Sequence, residues 1–173
     1  MTSADPKSLS KEIVARFSQI GVLVADDDRR IALIVRKVLE SLGFTNVHVA
    51  RDGTQTLQLL GSKKIDMIIT DWQMSPMDGI SLVKYLRTMD DSPNRFIPII
   101  MLTGNADRAH VEVARDVGVT EFVVKPFSAK ALCDRIAMLI ENPRSFIMSK
   151  AFTGPDRRRR SAPPPDGTEK RSR

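Results

Sequence analysis

Five short apolar runs alternate along the chain with five segments of helical spacing, and this alternation limits the possible folds more than any other feature. The runs are Ile20–Ala25, Val47–Ala50, Met67–Thr70, Ile97–Leu102 and Phe122–Val124. Each is too short for a stable helix, rich in β-branched residues and apolar without a polar alternation. They read as strands buried on both faces. Between them, Ile31, Ile34, Val35, Val38 and Leu42 form one apolar helical stripe, closed by Gly43. Thr56, Leu57, Leu59 and Leu60 lie in the second helical segment, which ends at Gly61. Ile80, Val83 and Leu86 mark the third. Val111, Ala114 and Val117 mark the fourth, closed by Gly118. Leu132, Ile136, Leu139 and Ile140 mark the fifth, stopped by Asn142-Pro143. Glycine just past a helix end and proline beyond it are the usual stops.

Five strands, each followed by a helix, predict an α/β fold: a doubly wound parallel (βα)5 sheet with helices on both faces. Right-handed crossovers leave few topologies, and the flavodoxin-like strand order 2-1-3-4-5 is the expected one. In such sheets the functional crevice lies at the carboxyl ends of the strands. A chain of 173 residues, 42% apolar, has enough for one such core, which its 5% aromatic content makes mostly aliphatic. Residues 18–142 are assigned to this domain and residues 1–17 to an amino-terminal extension, in which residues 12–17 could add a short amphipathic turn. No apolar stretch of about 18 residues exists, and the charged start of the chain does not read as a secretory signal. A single cysteine, Cys133, makes no internal disulfide. The expectation is a cytoplasmic protein without membrane insertion.

Net charge separates the chain into two parts. Residues 1–142 carry equal numbers of basic and acidic groups, whereas residues 143–173 carry 9 basic and 3 acidic ones, the whole excess of +6. Residues 143–173 hold few apolar groups, so this arginine-rich tail is expected to be disordered in isolation. A basic tail on a neutral domain implies an anionic partner for the tail.

Placed on the expected sheet, the polar residues concentrate at one edge. Asp26, Asp27 and Asp28 follow strand one, Asp71 strand three, Thr103 strand four and Lys125 strand five. Strands one and three are neighbours, so Asp26, Asp27 and Asp71 converge. Two carboxylates at ~4 Å repel by about 4 kcal/mol at an effective dielectric of ~20. A hard divalent cation compensates such a cluster, and Mg²⁺ is the natural one for phosphate chemistry. A lone aspartate at a strand end is usually a helix cap, and Asp28 is assigned that role. The full set at four carboxyl edges is not accounted for by capping.

These residues resemble the response-regulator receiver family. The likeness rests on Val22-Leu23-Val24-Ala25-Asp26-Asp27, on Asp71-Trp72-Gln73-Met74 through Met77-Asp78-Gly79, on Thr103 and on Lys125-Pro126-Phe127. It runs from about Val22 to Glu141 and looks especially similar to the CheY-like chemotaxis regulators. The resemblance implies Asp71 as phospho-acceptor, taking its phosphoryl group from a histidine kinase or phosphotransfer protein. It implies Mg²⁺ on Asp26, Asp27, Asp71 and the backbone carbonyl of Gln73. It further implies Lys125 pairing with the acyl phosphate, Thr103 hydrogen-bonding it, Phe122 as the aromatic switch, and a cis Lys125-Pro126 bond. Such a protein is not an enzyme beyond self-catalysed phosphoryl transfer and dephosphorylation at Asp71. Two departures stand out: the proline after Asp71 is displaced by one, at Pro76, and Phe122 replaces a tyrosine.

The tail carries Asp156 followed by Arg157, Arg158, Arg159 and Arg160. Guanidinium forks bind phosphates bidentately and match the O6 and N7 acceptors of guanine. An adjacent aspartate accepts from the guanine N1 and N2 donors. The stretch resembles the arginine-rich extension of the CheY-like cyclic di-GMP effectors called Cle proteins. That resemblance implies cyclic di-GMP as ligand of Asp156 and Arg157–Arg160, and a flagellar motor switch protein as target, with recruitment to the motor. Alternatives are a plain phosphotransfer receiver or phosphate sink, a solubilising tail, or a tail that binds nucleic acid through its phosphates. DNA is not the expected partner.

Overall fold

The computed structural model describes residues 15–105, 107–149 and 152–156. Five parallel strands form the expected sheet: β1 (Gly21–Ala25), β2 (Asn46–Ala50), β3 (Met67–Asp71), β4 (Ile99–Thr103) and β5 (Glu121–Val124), in the order β2-β1-β3-β4-β5. Helices α1 (Arg29–Ser41), α2 (Gly53–Ser62), α3 (Gly79–Thr88), α4 (Arg108–Val117) and α5 (Ala129–Glu141) follow them in turn. Each helix starts on a side-chain cap. Asp28, Asp52, Asp78, Asp107 and Ser128 each accept a backbone N–H from the first turn. Caps of this kind satisfy donors that a helix leaves unpaired.

Strand side chains alternate between two cores, which is why the runs contain no polar phase. Val22, Val24, Met67, Ile69, Ile100 and Leu102 pack with α1 and α5, through Ala32, Val35, Leu39, Leu132, Ile136 and Leu139. Leu23, Ala25, Ile68, Ile99 and Met101 pack against the opposite helices, through Leu82, Val83, Leu86 and Ala114. Residues 15–17, in the stretch read as an amino-terminal extension, make a helical turn. Phe17 is buried and stacks on Phe44 at 4.8 Å between ring centroids.

The chain beyond Asn142 departs from expectation. Its lack of helical or strand periodicity leaves residues 144–152 as at most a frayed extension of α5 and predicts a tail disordered in isolation. Yet β6 (Phe146–Met148) and β7 (Thr153–Pro155) form an antiparallel hairpin on the domain. What holds it is tertiary contact, not pattern. The Phe146 ring meets Phe96 edge-on at 5.7 Å and lies 5.1 Å from the guanidinium of Arg87. Arg87 is only 1% exposed and donates to the carbonyls of Gly118, Arg95 and Ile97. Gly118 ends α4 at φ +97, and a Cβ there would lie 2.8 Å from the Thr153 carbonyl oxygen. Both the backbone angle and the closeness of the hairpin therefore require glycine. Arg157–Arg160 lie outside the described residues.

Candidate functional site

Asp71, the last residue of β3, is 9% exposed, and Asp26, just past β1, is 2% exposed. The Lys125 ammonium, just past β5, bridges them, at 2.9 Å from Asp71 Oδ1 and 3.0 Å from Asp26 Oδ2. Asp27 is exposed at the rim. One carboxylate oxygen from each of Asp26, Asp27 and Asp71 lies within 4.8 Å of the others. Burial raises the Asp26 carboxyl above its ordinary range, and repulsion from Asp71 adds to this; Lys125 and the Asp28 N–H oppose the shift. Burial alone would lower the Lys125 ammonium, but its hydrogen bonds and charge attraction to Asp71 and Asp26 outweigh that and raise it. One cation, paired with two of three clustered carboxylates, leaves a net negative pocket of hard oxygen donors, which fits a divalent ion such as Mg²⁺.

Local chain geometry aims these groups. The Gly79 backbone passes directly against the Asp71 carbonyl, where any Cβ would collide, and its N–H donates to the Trp72 carbonyl at 2.9 Å. This folds the loop after β3 back over the strand end and places Gln73 in it, exposed. That loop contains a cis Ser75-Pro76 bond, and Lys125-Pro126 is cis as expected. The Trp72 N–H donates to the Leu102 carbonyl and the Lys125 N–H to the Thr103 carbonyl, so the three strand ends stay in register.

Thr103 is 4% exposed. Its hydroxyl donates to the Asn105 carbonyl at 2.8 Å and accepts the Asn105 N–H. Phe122 is half-buried. With Trp72, Met101, Thr103, His110 and Ala114 it lines a crevice between β4 and α4. Sequence reasoning passes over His110, whose ring sits 5.1 Å from that of Trp72 and 2.8 Å from Asp107 Oδ1. It also passes over Arg87, whose one signal is a cation among the apolar positions of α3.

Residues 22–137 match the family model of the response regulator receiver domain. The chain belongs to the response regulator receiver family. It is 38% identical over 120 residues to the chemotaxis protein CheY of Pseudomonas aeruginosa, covering 69% of this chain and 95% of that protein. CheY-3 of Vibrio cholerae is 35% identical over the same length, 91% of its own. Among solved structures, CheY4 of Vibrio cholerae superposes with a TM-score of 0.64 at 32% identity, covering 69% of this chain and 98% of that one. The receiver domain of a Pseudomonas aeruginosa sensor histidine kinase, crystallised with magnesium in its active-site cleft, gives 0.63 at 26% identity, over 71% of this chain and 98% of that one. This receiver is thus a signalling module by family. Among its described residues, no helix is long and apolar enough to cross a membrane.

Proposed function

We propose that the protein is a phospho-acceptor signalling receiver in which Asp71 is the modified residue. The observation that carries this reading is the Lys125 ammonium held at 2.9 Å from Asp71 and 3.0 Å from Asp26, beside Asp27. An Asp71 carboxylate oxygen attacks the phosphorus of a phosphohistidine on a kinase or phosphotransfer protein. The N–P bond breaks, its electron pair stays on the imidazole, and an acyl phosphate forms. Asp26, Asp27, Asp71 and the Gln73 carbonyl would hold Mg²⁺, which would supply charge neutralisation at the phosphoryl oxygens. Lys125 turns from the carboxylates to the new phosphoryl oxygens, and Thr103 exchanges its bonds with Asn105 for one to the phosphate. Phe122 follows into the crevice beside Trp72 and His110. The test is incubation with acetyl phosphate and Mg²⁺, read on a phosphate-affinity gel and by the fluorescence of Trp72, the only tryptophan. Modification is expected in the native chain and absent from Asp71→Asn; modification of that variant would overturn the assignment.

A second reading concerns the output. The docked hairpin gives the arginine run a fixed root, because the Asp156 N–H donates to the Ser145 carbonyl at 2.7 Å. This supports an adaptor in the cytoplasm that binds cyclic di-GMP through Asp156 and Arg157–Arg160 and acts on a protein such as the flagellar motor switch. A phosphate sink needs no such run. Truncation after Asp156 keeps the hairpin and separates the two: phosphorylation survives in both, nucleotide and target binding are lost only in an adaptor. Calorimetric titration of cyclic di-GMP into the native chain and into Arg157–Arg160→Ala is the direct measurement.

A further inference from the structure

The connection from β4 to α4 carries a run of bonds that ties Thr103 to a ring across the crevice. Asn105 holds the Thr103 hydroxyl twice, accepting from it at 2.8 Å on its carbonyl and donating its N–H to it at 3.1 Å. The Asn105 side chain is fixed in turn by Asp107. Its Nδ2 donates to Asp107 Oδ2 at 3.0 Å, and its Oδ1 accepts the Asp107 N–H at 3.0 Å. The other carboxylate oxygen of Asp107, Oδ1, meets both the backbone N–H and the ring Nδ1 of His110, each at 2.8 Å. The His110 ring rests against Trp72, the residue after Asp71, at 5.1 Å between centroids and 56° between planes. Asp71 and Thr103, on neighbouring strands, are thus joined a second time outside the acidic pocket, through Trp72, His110, Asp107 and Asn105.

Helix capping explains part of this. Asp107 starts α4, and a cap needs one acceptor for a first-turn N–H. It needs neither the second carboxylate oxygen on Asn105 nor a ring nitrogen on the first. The bonds from His110, its N–H before its ring, hold the Asp107 carboxyl below the usual carboxylate range. An ionised carboxylate only accepts, so Nδ1 is the nitrogen of His110 that carries hydrogen. The His110 and Asp107 side chains are 41% and 51% exposed. A pair so exposed adds little to the stability of the fold. It can still select between two arrangements of the loop. Recognition of a phosphoryl group by Thr103 requires its hydroxyl to leave Asn105, and Asn105 is held in place by Asp107.

We propose that His110 is a positioning residue for the switch: its ring fixes Asp107, Asp107 fixes Asn105, and the Thr103 hydroxyl stays turned away from the phosphoryl site until Asp71 is modified. The proposal rests on the phospho-acceptor reading above and adds to it a latch that sets how much of the unmodified chain is ready for the phosphoryl group. The apparent affinity for a ligand of the switched arrangement scales with the fraction already in that arrangement, so a weaker latch gives tighter binding.

The experiment is calorimetric titration of the full chain with beryllium fluoride, a phosphoryl mimic, in buffer containing Mg²⁺. His110→Phe keeps a ring against Trp72 and removes the donor. His110→Asn removes the ring and keeps a donor at the place of Nδ1. His110→Phe is expected to bind the mimic roughly three- to tenfold more tightly than the native chain, and His110→Asn to stay within about twofold of it. Asp107→Ser keeps a helix cap without the bridging carboxylate and should tighten binding as His110→Phe does, which keeps the test open if the phenylalanine variant folds poorly by circular dichroism. In a Thr103→Val background there is no hydroxyl to hold, and His110→Phe should then change nothing, whereas a purely structural effect would persist. If His110→Phe and Asp107→Ser bind like the native chain, if His110→Asn gains as much as His110→Phe, or if the gain survives in Thr103→Val, the latch is overturned and the phospho-acceptor reading stands. If the native chain binds the mimic no better than Asp71→Asn does, both are overturned.

Discussion

Two cations are held at opposite edges of the same sheet, and their surroundings differ in kind. Lys125 sits between two carboxylates, partly open to solvent. Arg87 is buried among three neutral carbonyls and under an aromatic ring, with no ion pair to a carboxylate among the described residues. The first arrangement stores unbalanced negative charge that a metal and a phosphoryl group can rearrange. The second closes a set of bonds with nothing left to exchange. Burial lowers the Arg87 guanidinium to about 10, still well above neutrality, so it stays charged. One edge is built to change state, the other to fix the chain that follows α5.

The largest expected effect tests the first edge. Asp71→Asn should lose all acetyl phosphate labelling, while its unfolding midpoint stays near or above the native one, because a repelling carboxylate has gone. Loss of fold along with labelling would show that the carboxyl edge is structural too and would erase the contrast.

At the other edge the order reverses. Arg87→Ala leaves three buried carbonyls without their donor and should cost on the order of 3 kcal/mol in urea unfolding. Arg87→Lys should be intermediate, since a single ammonium cannot span three acceptors as a planar fork does. Labelling of the folded fraction should be unchanged in both. Phe146→Ala removes the ring over Arg87 and should cost about 2 kcal/mol. Hydrogen exchange should then show β6 and β7 amides unprotected and β1 and β3 amides still slow. Gly118→Ala should cost about 1–2 kcal/mol, from its left-handed backbone angle and from the Thr153 carbonyl 2.8 Å away. A neutral result there would mean that the hairpin is not seated on α4.

The difference between the edges also explains what is legible in the sequence. The five-stranded sheet follows from the apolar runs, and Asp26, Asp27, Asp71, Thr103 and Lys125 follow from their place at the ends of those runs. Charged residues directly after apolar runs are anomalous locally, so they stand out in the bare sequence. The hairpin is different. Phe146-Ile147-Met148 is three residues long, and Thr153-Gly154-Pro155 has neither β-propensity nor alternation. Its stability comes from Arg87, Phe96 and Gly118, dozens of residues away, and no period within 143–156 encodes them. Phe17 reads as lying outside the domain for the same reason: its partner, Phe44, is remote in sequence.

The smallest effect separates the edges by pH. Asp26 has its carboxyl raised above the ordinary 3.8, burial being the main cause. The folded state therefore holds this proton more tightly than the unfolded chain does. The contribution of Asp26 to stability is fully present below the ordinary 3.8 of the unfolded chain and is lost as pH rises through the folded value. Asp26→Asn lacks that decline. In metal-free buffer, the stability of Asp26→Asn relative to the native chain should improve as pH rises from the ordinary 3.8 through the raised folded value. Addition of Mg²⁺ at the upper pH should restore the native chain more than the variant, since the ion offsets the charge that the variant no longer has. A difference between Asp26→Asn and the native chain that stays flat with pH, with and without the metal, would mean that Lys125 already balances the pocket, and the carboxyl edge would then be as closed as the one around Arg87.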